Sequence, residues 1–144
     1  MVASIITPNS SIKILNVCVN DLRMGLYNSL IDMGANISFS NRRELNGEPV
    51  ADISAKYSFL KGIKIPKSRV ASMIDEFPIL CIAAVRAIGE TVMEGIEELR
   101  FIETDRIQAM SEGLRSVGIE TIEKQDGMII TGKGPDHSIN GNVT

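Results

Sequence analysis

The sequence predicts an α/β (α+β) domain built from repeated units. Strand-like and helix-like patterns of apolar residues alternate along the 144 residues, and one order of elements (strand, polar turn, helix, glycine cap, strand) occurs twice. Each copy carries an apolar strand, an arginine, a leucine and a glycine four residues after that leucine. The matching positions are residues 14–17, Arg23, Leu30 and Gly34, and residues 93–96, Arg106, Leu114 and Gly118.

The elements of the first half follow from apolar spacing and from residues that end strands and helices. Residues 2–6 are apolar and stop at a Thr-Pro-Asn-Ser-Ser turn cluster. Alternation of apolar residues predicts strands, and leucines at helical spacing predict a helix capped by Gly34. The predictions are strands at 12–19, 36–39, 50–57 and 62–65, a helix at 22–33, and a turn at Asn46-Gly47.

In the second half, Pro78 is typical of the first turn of a helix, which we expect to end at Gly89. The next predictions are a strand at 91–96, a helix at 104–117 capped by Gly118, and a hairpin of 119–123 and 128–131 across the turn at 125–127. From residue 133 onwards Gly, Pro, Asp and Asn dominate, so 133–144 is expected to be a loop or a disordered tail.

Composition excludes several classes of function. The net charge of −3 leaves no basic surface for nucleic acid, and no apolar run is long enough to cross a membrane. The two cysteines, Cys18 and Cys81, lie in apolar patterns typical of buried thiols rather than of a disulfide, which fits a cytoplasmic location. Because His137 is the one histidine and lies in the Gly-rich tail, a histidine-based metal site or triad is not expected.

Glu103 and Arg106 form the first candidate site, at the predicted start of a helix. Their spacing of three residues places both side chains on one side of the first turn. Unpaired backbone N–H groups and the helix dipole favour small anions there, and a guanidinium binds phosphate or carboxylate. The alternative is a solvated surface pair, which is the common role of Glu and Arg at this spacing.

Asp75 is the second candidate, because it comes just before the helix that Pro78 starts. Two carboxylates at two helix N-termini are able to converge on one anionic substrate. A helix N-terminus lowers a carboxyl pKa, whereas burial and a neighbouring carboxylate raise it, so their balance sets which acid carries a proton. The alternative for Asp75 is a helix cap, a common position for aspartate.

Several segments resemble one family, the 3-phosphoshikimate 1-carboxyvinyltransferases, also called EPSP synthases. They are MIDEFPIL at 73–80, GIEELR at 95–100 and ETDR at 103–106, preceded by ILNV at 14–17, MGANI at 33–37, NRRE at 41–44 and VADI at 50–53. All occur in the family's order, and the resemblance runs from about residue 2 to the C-terminus. It implies βαβαββ-type units of the enolpyruvyl transferase inside-out α/β barrel, present here as an incomplete set.

The resemblance implies transfer of the enolpyruvyl group from phosphoenolpyruvate to the 5-hydroxyl of shikimate 3-phosphate. Asp75 then binds shikimate 3-phosphate and accepts the proton of that hydroxyl, while Glu103 handles the proton at the methylene carbon. Arg106 holds phosphoenolpyruvate. No metal or organic cofactor is implied. The position before the glutamate, usually a lysine that binds shikimate 3-phosphate, is Ile102 here.

The resemblance also implies that the chain is part of a larger enzyme. The family's N-terminal lysine, its Ser/Gln contacts and its later Asp-His-Arg segment have no counterpart, so 1–144 is expected to be a single partial domain of one of two lobes. We expect such a piece to be inactive alone and to self-associate through apolar surface left uncovered.

Two other functions stay open from the sequence. One is the related transferase that uses UDP-N-acetylglucosamine, although the ETDR and DEFP segments favour the shikimate enzyme. The other is a catalytically silent folded remnant, which the substitution at Ile102 favours.

Overall fold

The computed structural model describes residues 1–101 and 104–135. In these residues two three-stranded antiparallel sheets pack with four α-helices and several short 3₁₀ turns. The elements, in order, are α1 (Val2–Ile6), β1 (Ser11–Cys18), α2 (Gly25–Asp32), β2 (Asn36–Leu45), β3 (Glu48–Lys56), α3 (Phe77–Val85), β4 (Ile88–Met93), α4 (Arg106–Ser116), β5 (Glu120–Lys124) and β6 (Gly127–Lys133).

The two sheets share one topology, which confirms the repeated units predicted from the sequence. The strand orders are β1-β3-β2 and β4-β6-β5, so in each sheet the last strand lies between the first two. One unit consists of α1, α2 and the first sheet, and the other consists of α3, α4 and the second sheet. In each unit the second helix, α2 or α4, connects the first strand of the sheet to the next strand in sequence. Glycine caps end both helices, because Gly34 and Gly118 have φ values of 103° and 85°.

The strand predicted at 62–65 is only partly formed. Lys61 and Lys64 make isolated parallel bridges to Ile88 and Val92 of β4, with no continuous ladder between them. The amide of Gly62 donates to the carbonyl of Ile88 at 2.9 Å. A Cβ at Gly62 would lie 2.1 Å from the carbonyl oxygen of Glu90, so glycine permits this close approach.

The predicted ends of α3 and β4 are wrong by several residues. The helix stops at Val85 instead of about Ile88, and β4 covers Ile88–Met93 instead of 91–96. The cause is tertiary, because β6 pairs with residues 88–93 and draws them into a strand. Lys133, expected in a loop, is the last residue of β6, and residues 136–144 of the predicted tail lie outside the described residues.

The largest apolar cluster joins both units around α3. This helix is apolar on nearly every side, and Leu80, Cys81, Ala83 and Ala84 are completely buried. It packs beside α1 and α2 and against β6. Both cysteines are free, and burial raises the pKa of the Cys81 thiol well above its ordinary value, so this thiol stays protonated and behaves as a small apolar group.

Asp52 holds the first sheet together at two irregular positions. The register shifts on both sides of β3 near Asn16 and Asn41, which adopt positive φ values of 59° and 52°. Asp52 accepts the backbone N–H of Asn16 at 3.1 Å and the side-chain amide of Asn41 at 3.3 Å. Arg43 lies 3.6 Å from Asp52 and donates to the Asn41 carbonyl and the Asn16 side chain.

The charge of Asp52 should make stability depend on pH. The Asn16 N–H, the Asn41 amide and Arg43 lower its pKa below the ordinary value, so folding favours the carboxylate. A lowered folded-state pKa stabilises the fold above the unfolded value, near pH 4, and this stabilisation is lost as pH falls through the folded pKa. We therefore expect the urea midpoint to fall as the pH is lowered below about 5.

Asp52→Asn should flatten that part of the curve, since asparagine does not titrate. Urea unfolding of both proteins across this range measures the difference. Parallel pH curves for the two proteins would contradict the role of the Asp52 charge.

Candidate active site

Asp75 lies where the chain enters α3, in a 3₁₀ turn formed by Ile74–Glu76. Phe77, the first residue of α3, is buried with 3% of its surface exposed, and Pro78 restricts the backbone of the first turn. Asp75 itself is exposed. Among the residues that the structure describes, no side chain accepts an N–H at the start of α3, so the structure gives no support to the capping alternative for Asp75.

A cleft of about 250 Å³ opens beside Asp75 and is lined also by Leu22, Arg23, Ser72 and Glu76. The side chain of Asp75 forms no hydrogen bond or ion pair with another residue of the described part of the chain, and the same is true of the side chain of Arg23, whose backbone N–H donates to the carbonyl of Asn20 at 2.8 Å. The cleft therefore offers both a carboxylate and a cation that no described protein group occupies. Arg23 is exposed, and the repeat in the sequence matches it to Arg106.

Arg106 is the first residue of α4 and is half-buried. Asp105 caps this helix, because its Oδ1 accepts the backbone N–H of Gln108 at 2.9 Å. Arg106 has no hydrogen-bonding or ionic partner within 1–101 and 104–135, so its guanidinium is available to an anion as far as these residues go. The predicted site residues Ile102 and Glu103 lie outside the described residues.

Arg100 is the most extensively bonded side chain next to this helix. Its Nη1 donates to Asp105 at 2.7 Å and to Glu123 at 2.8 Å, and its Nε donates to the carbonyl of Gln125 at 2.8 Å. Its Nη2 donates to the carbonyl of Lys124. Glu123 first, and then Asp105, raise the Arg100 pKa, whereas the Gln108 N–H and Arg100 lower the pKa of Asp105.

Basic side chains gather at the carboxyl end of β4, which sequence reasoning missed. Lys124 and Lys64 lie 3.4 Å and 3.6 Å from the carboxylate of Glu94, and Lys67 lies next to Gly95. The hydrogen bond from Lys124 and the charge of Lys64 lower the pKa of Glu94. These residues come from three separate segments, so no local sequence signal marks the cluster.

Asp75 and Arg106 lie on separate elements, the 3₁₀ turn Ile74–Glu76 and α4. Ile74, next to Asp75, lines a small apolar cavity of about 20 Å³ together with Met93, Glu94 and Ile96, which lead towards α4. A shared site formed by Asp75, Glu103 and Arg106 stays a prediction. Within 1–101 and 104–135, no three His, Cys, Asp or Glu side chains cluster closely enough to hold a metal ion, and no helix is long and apolar enough to cross a bilayer.

Comparison with known proteins assigns the chain to a family. The family model for EPSP synthase (3-phosphoshikimate 1-carboxyvinyltransferase) matches residues 1–142. A 3-phosphoshikimate 1-carboxyvinyltransferase of Paracoccus denitrificans is 52% identical over 132 residues, covering 92% of this chain and 30% of that protein. One from Phenylobacterium zucineum is 46% identical over 144 residues, covering 100% of this chain and 32% of its own length.

A solved structure agrees with these relatives. The EPSP synthase from Acinetobacter baumannii matches with a TM-score of 0.89 and 46% identity, covering 92% of this chain and 30% of that one. The chain thus spans about a third of the length of the relatives it matches. The model match over nearly all residues, the relatives and the shared fold lead to one conclusion: the chain belongs to the EPSP synthase family.

Proposed function

We propose that the chain supplies part of the active site of a cytoplasmic enzyme that transfers enolpyruvyl from phosphoenolpyruvate to the 5-hydroxyl of shikimate 3-phosphate. This is the reaction of chorismate and aromatic amino acid biosynthesis that the family name describes. One observation from the structure carries the assignment of residues. Asp75 and Arg106 lie at the starts of α3 and α4 as unpaired charges among the described residues, in the two segments that match the family.

Asp75 has the chemistry of a general base for the sugar hydroxyl. An exposed carboxylate at a cleft accepts the hydroxyl proton as the oxygen attacks C2 of phosphoenolpyruvate. Glu103 donates a proton to the methylene carbon, whose double-bond electrons form the new C–H bond. The adduct then loses phosphate through cleavage of the bond between C2 and the phosphate oxygen, and the Glu103 carboxylate takes back a methyl proton so that the double bond forms again.

Arg106 is suited to hold phosphoenolpyruvate while these protons move. A guanidinium binds carboxylate or phosphate through two parallel hydrogen bonds, which fixes the position of the reacting carbon. The N-terminus of α4, with its partial positive charge, favours the same anion. This scheme requires no metal or organic cofactor.

The test has two arms. The isolated chain should show no phosphate release from phosphoenolpyruvate with shikimate 3-phosphate, because groups from both lobes must be held in reacting geometry. A chimera should restore turnover, in which the matched segment of the Acinetobacter baumannii enzyme is replaced by this chain. A folded but inactive chimera would contradict the proposal and favour the silent remnant. The names of the relatives give no support to the UDP-N-acetylglucosamine alternative.

Ile102 supplies a test of substrate specificity in the chimera. Ile102→Lys restores the lysine of the family and with it a charge-assisted contact to shikimate 3-phosphate, worth about 1.5–3 kcal/mol. We expect the KM for shikimate 3-phosphate to fall or turnover to rise by about tenfold to a hundredfold, with a smaller change in the KM for phosphoenolpyruvate. An unchanged enzyme would mean that another cation already fills this role.

Self-association of the isolated chain follows from its uncovered apolar surface. Ile79 and Ile82, three residues apart on α3, are 46% and 47% exposed, and Leu15 on β1 is 60% exposed. We propose that 1–144 is one partial domain. In the longer relatives, the corresponding surface would pack against units that 1–144 does not contain. Sedimentation of the isolated chain at high concentration should show oligomers, and a strictly monomeric species would contradict this part.

A further inference from the structure

We infer that Arg100 is a positioning residue that holds Arg106 and the start of α4 in the geometry required to bind phosphoenolpyruvate. The inference rests on the proposed function, since it deepens the role of Arg106. It starts from the guanidinium of Arg100, whose side chain is 11% exposed and donates to four acceptors. An arginine buried to this degree requires such partners, because an unpaired charge is costly there.

The four acceptors belong to two separate parts of the fold. One is the carboxylate of Asp105, the residue immediately before Arg106. The other three are Glu123 and the carbonyls of Lys124 and Gln125, at the turn between β5 and β6. Arg100 therefore links Asp105, immediately before α4, to the β5–β6 hairpin.

The contact with Asp105 passes directly to the helix. One oxygen of that carboxylate accepts from Arg100, and the other accepts the N–H of Gln108 in the first turn of α4. Arg100 thus orients the capping carboxylate. The cap fixes the first turn of α4 and with it the position of Arg106, the first residue of that helix. The same cation neutralises two acids, Asp105 and Glu123, which would repel each other without it.

Arg115, an arginine of α4, provides a matched comparison with Arg100. It also joins α4 to β5, by donating from Nη2 to the carbonyl of Thr121 at 3.1 Å, but it lies in the last turn and is exposed. Loss of Arg115 removes a link between α4 and β5 without affecting the start of α4. The pair separates positioning of Arg106 from general support of the fold.

The first measurement uses the chain itself. In Arg100→Gln we expect amide hydrogen exchange at Gln108 to accelerate by about tenfold, because the substitution removes a charge-assisted contact to the capping residue Asp105. Arg115→Gln should leave Gln108 unchanged. Arg100→Lys should fall between, since lysine keeps the charge but lacks the fork that reaches several acceptors. Unchanged exchange at Gln108 in Arg100→Gln would overturn the inference whether or not the proposed function holds.

The second measurement uses the chimera and asks whether the effect reaches the substrate. Arg100→Gln should raise the KM for phosphoenolpyruvate by about tenfold to a hundredfold, as small displacements of binding groups do. The KM for shikimate 3-phosphate should change much less. Equal effects on both substrates, or none on either, would overturn the inference by reducing Arg100 to structural support. An inactive unsubstituted chimera contradicts the proposed function instead, and the Gln108 exchange then decides the inference.

Discussion

Gly132→Ala should destabilise the protein by about 3 kcal/mol or more, enough to leave a large fraction unfolded. A Cβ built on Gly132 lies 1.9 Å from the carbonyl oxygen of Ala87 and 2.5 Å from that of Ala84. Both atoms are backbone, so no side-chain rotation relieves the overlap. Separation of β6 from the end of α3 would open the core where Ala84 and Ala87 are completely buried.

The matched control is Gly113→Ala, in the interior of α4. Apart from its own helix backbone and chain neighbours, no atom of residues 1–101 and 104–135 lies within 4 Å of a Cβ at Gly113, so the added methyl group meets open space. Replacing glycine by alanine inside a helix should stabilise the protein by about 0.5–1 kcal/mol. Urea unfolding of the three proteins measures opposite shifts of the midpoint. If Gly132→Ala unfolds at the same midpoint as the unsubstituted protein, the close packing of β6 on α3 is wrong.

Features set by local conformation were predictable from the sequence. The Asn46-Gly47 turn joins β2 and β3 with φ values of 53° and 83°, the left-handed pair that a two-residue hairpin requires. Gly34 and Gly118 cap their helices for the same local reason. The order of strands and helices followed from apolar spacing, and the repeat followed from comparing two stretches of the chain.

Features set by partners distant in sequence were not predictable in this way. The end of α3 depends on β6, which approaches it closely through Gly132, more than 40 residues later. Arg43 lies in a polar-looking segment, and only the folded sheet brings it to Asp52 and Asn16. Positive φ at Asn16 and Asn41 likewise follows from the register of three strands.

The candidate site also contains residues that were predictable from local sequence and residues whose contacts depend on distant parts of the chain. Asp75 and Arg106 were identified from helix starts and from the family segments, and the structure places both at helix starts. The contacts of Arg100 were missed, because only the fold brings its acceptors together. The cleft beside Asp75 joins residues about 50 positions apart, and Arg100 contacts acceptors 23 to 25 positions away.

Asp75→Asn in the chimera should lower kcat by about a hundredfold to ten-thousandfold, the usual contribution of a general base. Asparagine keeps the shape of the side chain but accepts no proton. Asp75 is exposed and has no bonding partner in the described residues, so stability should change by less than about 0.5 kcal/mol. Loss of rate without loss of stability separates proton transfer from a structural role.

Glu44→Gln is the control for this substitution, because Glu44 is an exposed carboxylate on β2 that does not line the cleft beside Asp75. Its removal should leave both kcat and KM within about twofold of the unsubstituted chimera. Steady-state kinetics and thermal unfolding of the three proteins provide the comparison. If Asp75→Asn keeps full kcat, the sugar hydroxyl loses its proton to another group and Asp75 is not the base. If its kcat falls only together with its unfolding midpoint, the carboxylate acts on the fold rather than on the substrate.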